Sequence, residues 1–115
     1  MKYTLMLLTA LLVGCSAQPL PALQSESDWL AYGKQRAMDG YIVQTEDKLA
    51  KLDAQSAIND DFYQAYLQGY EQGKQTYCDQ SAYMLGRLGR AYRGICDDQD
   101  PFFRQDYYNG RRDLW

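Results

Sequence analysis

The sequence predicts an all-α fold: a small helical bundle of three main helices plus short helices, stapled by one disulfide. Three observations lead there. No stretch alternates apolar and polar residues well enough to be a strand. Residues that cap helices stand ahead of runs with helical spacing, at Ser27, Thr45, Asn59, Ser81 and Asp100. The stretch from Tyr66 to Cys96 gathers Gly69, Gly73, Gly86 and Gly89 with two cysteines. A glycine inside a helix costs about 1 kcal/mol relative to alanine, so the cluster calls for a reason, and close approach of another helix supplies one.

The chain begins with a leader, residues 1–14. Lys2 precedes the apolar run YTLMLLTALLV, which is too short to span a bilayer and reads as a signal peptide. The run stops at Leu12-Val13-Gly14-Cys15, which resembles the bacterial lipobox. That resemblance implies cleavage before Cys15, a lipidated Cys15 and attachment to a membrane; several acyl chains make a stable anchor. The alternative is an ordinary secretory signal with a chance cysteine. Ser16, where sorted lipoproteins retained at the inner membrane have aspartate, implies the outer membrane, facing the periplasm. Residues 15–25 (CSAQPLPALQS) form a lipidated tether stiffened by Pro19 and Pro21. Residues 26–115 are left for one helical domain.

Charge and cysteines bound the chemistry. Twelve basic residues face 15 acidic ones, and losing Lys2 with the leader leaves a net of −4, which argues against nucleic-acid binding. With Cys15 committed to lipid, Cys78 and Cys96 are an even pair in an oxidising compartment. Closing that loop contributes about 3 kcal/mol in the chain-entropy picture. There is no histidine and no CxxC spacing, so a zinc site is disfavoured and no metal or cofactor is expected. Without histidine the usual serine and cysteine mechanisms lack a base, and the expectation is a protein that is not an enzyme.

Taken in order, the first helix starts near Ser27 with Asp28 in its first turn. Trp29, Leu30, Gly33 and Ala37 form its packing face, and Gly40 ends it. Thr45 caps a weaker, peripheral helix over EDKLAKLDAQ. Asn59-Asp60-Asp61 caps the central helix, Phe62 to about Tyr77, where Ala65, Gly69 and Gly73 make a smooth strip beside a ridge of Tyr63, Tyr66, Tyr70 and Tyr77. Ser81 caps a short helix over AYMLGRLG, with Gly86 and Gly89 expected at a packing surface. Asp100-Pro101 starts the last helix, carrying Phe102, Phe103, Tyr107, Leu114 and Trp115. Phe62-x-Gln64-x-Tyr66-x-x-Gly69 recurs as Phe103-x-Gln105-x-Tyr107-x-x-Gly110, which reads as two helices presenting one kind of face to a shared core.

These residues carry a family resemblance. Tyr66-x-x-Gly69-x-x-x-Gly73-x-x-x-Tyr77-Cys78, then Ala82-x-x-x-Gly86-x-x-Gly89-x-x-Tyr92-x-Gly94-x-Cys96, is similar to the proteobacterial lipoproteins catalogued as domain of unknown function 2799. Phe103-x-x-x-Tyr107-x-x-Gly110-Arg111 resembles that family's tail, and Trp29-x-x-x-Gly33 with Gly40 its start. The resemblance covers most of residues 28–112 and implies a small envelope lipoprotein with no known activity.

Two functional expectations follow. In the first, the domain is a structural or interaction module docking an envelope protein. In the second, it binds a cell-wall or anionic envelope ligand through Tyr66, Tyr70, Arg87, Arg90 and Arg93, the arginines spaced by three along one helical face. A buried tyrosine ridge favours the first, an open groove of tyrosine and arginine the second. Asp97, Asp98 and Asp100 lack the glycine and distal glutamate of an EF-hand and read as capping residues.

Overall fold

The computed structural model describes residues 23–53 and 58–113. The leader, Cys15, most of the tether, and Leu114 and Trp115 lie outside the described residues. Five helices and no strand occur among the described residues: α1 (Glu26–Met38), α2 (Glu46–Leu52), α3 (Asp60–Cys78), α4 (Ala82–Arg87) and α5 (Phe103–Arg112). The three longest are the three main helices expected, and Cys78 is disulfide-bonded to Cys96.

Capping chemistry sets the helix starts. Thr45, Asn59 and Ser81 each accept from a backbone N–H three residues on, satisfying a donor that the first turn leaves orphaned. At α1 the cap is Ser25, two residues ahead of the expected Ser27. Ser25 Oγ accepts from Asp28 N–H while the Asp28 carboxylate accepts from Gln24 N–H, a reciprocal arrangement that Ser27 cannot make with its neighbours. These bonds hold the Asp28 carboxyl below its ordinary pKa. At the last helix Pro101 lies in a turn, and α5 begins at Phe103. The Asp100 carboxylate accepts from Phe102 N–H and so closes that turn in place of capping a helix that starts at Pro101.

α1 and α3 run parallel. Trp29 stacks on Phe62, Ala37 meets Gly73, and the Tyr77 ring covers Gly40, so contacts advance along both helices together. The approach is very close. A Cβ on Gly69 would stand 1.9 Å from the Leu30 carbonyl oxygen, one on Gly33 2.1 Å from that of Tyr66, and one on Gly73 2.2 Å from that of Lys34. In glycine a hydrogen points along that line and makes a weak Cα–H···O contact instead.

The same crossing is built a second time. A Cβ on Gly86 would stand 2.0 Å from the Tyr107 carbonyl oxygen, and one on Gly110 1.9 Å from that of Tyr83. The repeated motif thus places Tyr66 and Tyr107 over Gly33 and Gly86, and Gly69 and Gly110 over Leu30 and Tyr83. Each motif helix has its own glycine-crossed partner, α1 or α4, while Tyr66 and Tyr107 belong to one buried cluster, the shared core expected. These two pairs are the helix pairs in extensive contact among the described residues.

Both partner helices, α1 and α4, end alike. Gly40 N–H bonds Ala37 C=O and Tyr41 N–H bonds Arg36 C=O; Gly89 N–H bonds Gly86 C=O and Arg90 N–H bonds Leu85 C=O. This closure needs a left-handed residue, and Gly40 and Gly89 have φ of 83° and 71°. Gly89, expected at a packing surface, is therefore exposed at a helix end. Between the pairs, α2 is less peripheral than its composition suggests, because Leu49 is fully buried.

Gly69→Ala and Gly73→Leu test the first crossing. The obstructing atoms are backbone, so each substitution is expected to destabilise by about 1–3 kcal/mol in a thermal or urea melt. On a solvent-facing helix the same changes would stabilise by about 0.5–1 kcal/mol. A stabilised variant contradicts the crossing.

Candidate functional site

The tyrosine ridge is where the sequence pattern concentrates polar groups on an apolar face, and the fold consumes it. After Gly40 the chain reverses and runs back alongside α3 as an extended segment, 41–45. The ridge holds that segment by its backbone: Tyr70 Oη donates to Tyr41 C=O (2.8 Å), Tyr63 Oη donates to Gln44 C=O (3.0 Å), and Gln44 N–H donates to Tyr66 Oη (3.0 Å). Tyr66 is 1% exposed and Tyr70 5%. Burial raises the pKa of Tyr66 and Tyr77, and pushes that of Tyr70 up to about 12. Tyr66 and Tyr70, expected as candidate ligand contacts, are core residues, and only an edge of Tyr70 reaches a groove.

The second pair repeats the device. Tyr107 Oη donates to Arg90 C=O (2.6 Å), and Tyr92 packs between Phe103 and Tyr107. Tyr92 Oη donates to the Asp97 carboxylate and accepts from Cys96 N–H; burial first and that carboxylate second drive its pKa upward. Asp97 also receives Arg104, which holds its carboxyl below the ordinary range. Lys74, buried about one turn before the end of α3, reaches both Asp98 oxygens at 2.7–2.8 Å, and this lowers the Asp98 pKa. Asp97 and Asp98 therefore pair with cations around the turn after the disulfide and Asp100 closes it; none caps α5, where capping was expected. No cluster of three or more metal-ligating side chains occurs among the described residues.

The arginines do not share a helical face. Arg87 is the last residue of α4 and reaches toward Asp113; Arg90 and Arg93 lie beyond Gly89 in an extended segment. What brings Arg90 and Arg93 together is a groove of 560 Å³ between the end of α1 and α4, lined also by Met38, Met84, Leu85 and Leu88. Arg93 lies 4.3 Å and Arg36 3.6 Å from the centroid of the Tyr41 ring, so two guanidiniums are held on one aromatic residue. A second groove, 460 Å³, is lined by Ile42, Val43, Leu67, Tyr70 and Ile95 with the Lys74–Asp98 pair at its edge. Spacing alone did not mark either one, because both form where a reversed segment meets a helix far away in sequence.

These features define a small all-α domain of two glycine-crossed helix pairs, closed by a disulfide, with its polar ridge turned inward. The chain belongs to the family described as Protein of unknown function (DUF2799), whose model matches residues 28–112. No curated protein and no solved structure matches it.

The buried phenols make stability pH-dependent. Tyr70 keeps its proton to about pH 12 in the folded chain but loses it near 10 when unfolded. Its contribution is thus complete below pH 10 and is lost as pH rises toward 12. Urea melts across that window should show falling stability, with a shallower fall in Tyr70→Phe. Equal slopes in the two proteins would contradict the assignment.

Proposed function

We propose that this protein is a lipid-anchored envelope lipoprotein, held by Cys15 at the outer membrane and facing the periplasm. It acts there as an interaction module that docks another envelope protein, and performs no catalysis. The observation that carries this reading is the inward use of the tyrosine ridge. Tyr63, Tyr66 and Tyr70 spend their hydroxyls on the 41–45 segment, so the residues best suited to stack on a glycan are unavailable to one. The ridge instead displays that segment, leaving Ile42 and Val43 47% and 44% exposed beside the groove over Leu67 and Ile95. An apolar patch edged by charged residues suits a protein partner. The chain's lack of histidine supports the non-catalytic reading. The lipobox-like Leu12-Val13-Gly14-Cys15 supports the envelope location.

One preparation tests both parts. Cells expressing the protein with a photoreactive side chain at Val43 are labelled with palmitate and irradiated. The expected outcome is palmitate on the wild-type protein, none on Cys15→Ser, and one discrete protein adduct at Val43 that Ile42→Glu removes. Labelling that persists in Cys15→Ser contradicts the anchor. An irradiated chain that captures no protein contradicts the docking role.

A further inference from the structure

We propose that the groove between the end of α1 and α4 seats the anionic headgroup surface of a phospholipid membrane. This deepens the anchored reading above, using the anchor only as the reason the surface is near. Leu88 is 62% exposed, Met84 46% and Met38 39%, and all three line the same groove as Arg90 and Arg93. Apolar side chains that project beside arginines suit an interface where the former enter the acyl boundary and the latter bind phosphates.

Charge complementarity selects the occupant. The chain as a whole is net −3, yet no acidic residue occurs from Gln80 to Cys96, a span that carries Arg87, Arg90 and Arg93. The ion pairs among the described residues lie elsewhere, at Lys74–Asp98 and Arg104–Asp97. Asp39, the one carboxylate lining the groove among the described residues, accepts from Gln35. Arg93 is further held by the Tyr41 ring, with Arg36 beside it adding positive charge at the same point. A guanidinium fixed by stacking loses less freedom on meeting a phosphate than one swinging in water.

Tether length keeps the surface within reach. Seven residues, 16–22, separate the acylation site at Cys15 from the buried Leu23. Fully extended, the chain from Cys15 to Leu23 spans about 26 Å. Such a short link raises the effective concentration of the membrane, so a weak contact is enough to orient the domain.

The test uses the purified, processed protein with a photoreactive side chain in place of Leu88, added to vesicles of phosphatidylglycerol or of phosphatidylcholine. Irradiation should add the mass of a phospholipid with phosphatidylglycerol and much less with phosphatidylcholine. Each arginine near an anionic surface contributes about a fivefold factor in partition, so Arg90→Gln with Arg93→Gln should cut the adduct by up to about thirtyfold. An unchanged melting curve in that variant shows the fold is intact. Equal adducts on both lipids, no adduct, or an adduct indifferent to both arginines would overturn the proposal. So would equal lipid labelling from the same side chain at the exposed Gln72 of α3, or full displacement by excess inorganic phosphate. The same mass spectrum shows whether Cys15 carries acyl chains, and the ratio between the two lipids decides the groove in either case.

Discussion

The fold depends on one kind of contact, the approach of a glycine Cα to the carbonyl oxygen of a crossing helix. It occurs at Gly33, Gly69 and Gly73 in the first pair and at Gly86 and Gly110 in the second, with the position of an absent Cβ about 2 Å from oxygen each time. Individually such contacts are weak. Their effect lies in what they permit: backbones close enough for the flanking aromatic rings to bury without large aliphatic residues between them. Trp29, Tyr66 and Phe103 are accordingly almost completely buried in a chain of negative mean hydropathy. Glycine costs helix propensity at every one of these sites, and close packing offsets that cost.

The second constraint is the reversal that follows α1 and α4. A left-handed glycine turns the chain, and tyrosine hydroxyls on the longer helix then bind the returning backbone, at Tyr41 and Gln44 in one pair and at Arg90 in the other. This satisfies peptide groups that would otherwise be buried without partners. It also places the exposed Ile42–Val43 edge and the Arg90–Arg93 groove on segments pinned by a rigid ridge. Both surfaces proposed for contact are thus by-products of how the core meets its own hydrogen-bonding needs.

Much of this was legible in the sequence. Thr45, Asn59 and Ser81 mark helix starts through a local rule, and the Gly69–Gly73 strip marks a helix contact through its four-residue spacing. The cysteine pair followed from compartment and count. Some expectations failed for local reasons, and others because a distant partner decides them. Arg87, Arg90 and Arg93 have helical spacing, but Gly89 takes a left-handed conformation and ends the helix between them. Tyr66 and Tyr70 carry polar tips that suggest exposure, until the 41–45 segment arrives to accept and donate. Pro101 sits well at a helix start, yet the Asp100 carboxylate bonds Phe102 N–H and spends that position on a turn. The groove at Arg90 and Arg93 joins residues some fifty positions from Met38, beyond any local pattern.

The molecule is therefore two helix pairs, each closed by its own glycine crossing, and joined by the Cys78–Cys96 bond, the Lys74–Asp98 pair and the Tyr77–Phe103 contact. The pairs differ in what each can bury: α1 and α3 are long, whereas α4 has only six residues. Amide hydrogen exchange with and without reductant tests this division most directly. The account predicts that reduction leaves slow exchange in α1 and α3 while protection collapses across α4, the 88–102 segment and α5. Uniform loss of protection through both pairs, or none in either, would contradict it.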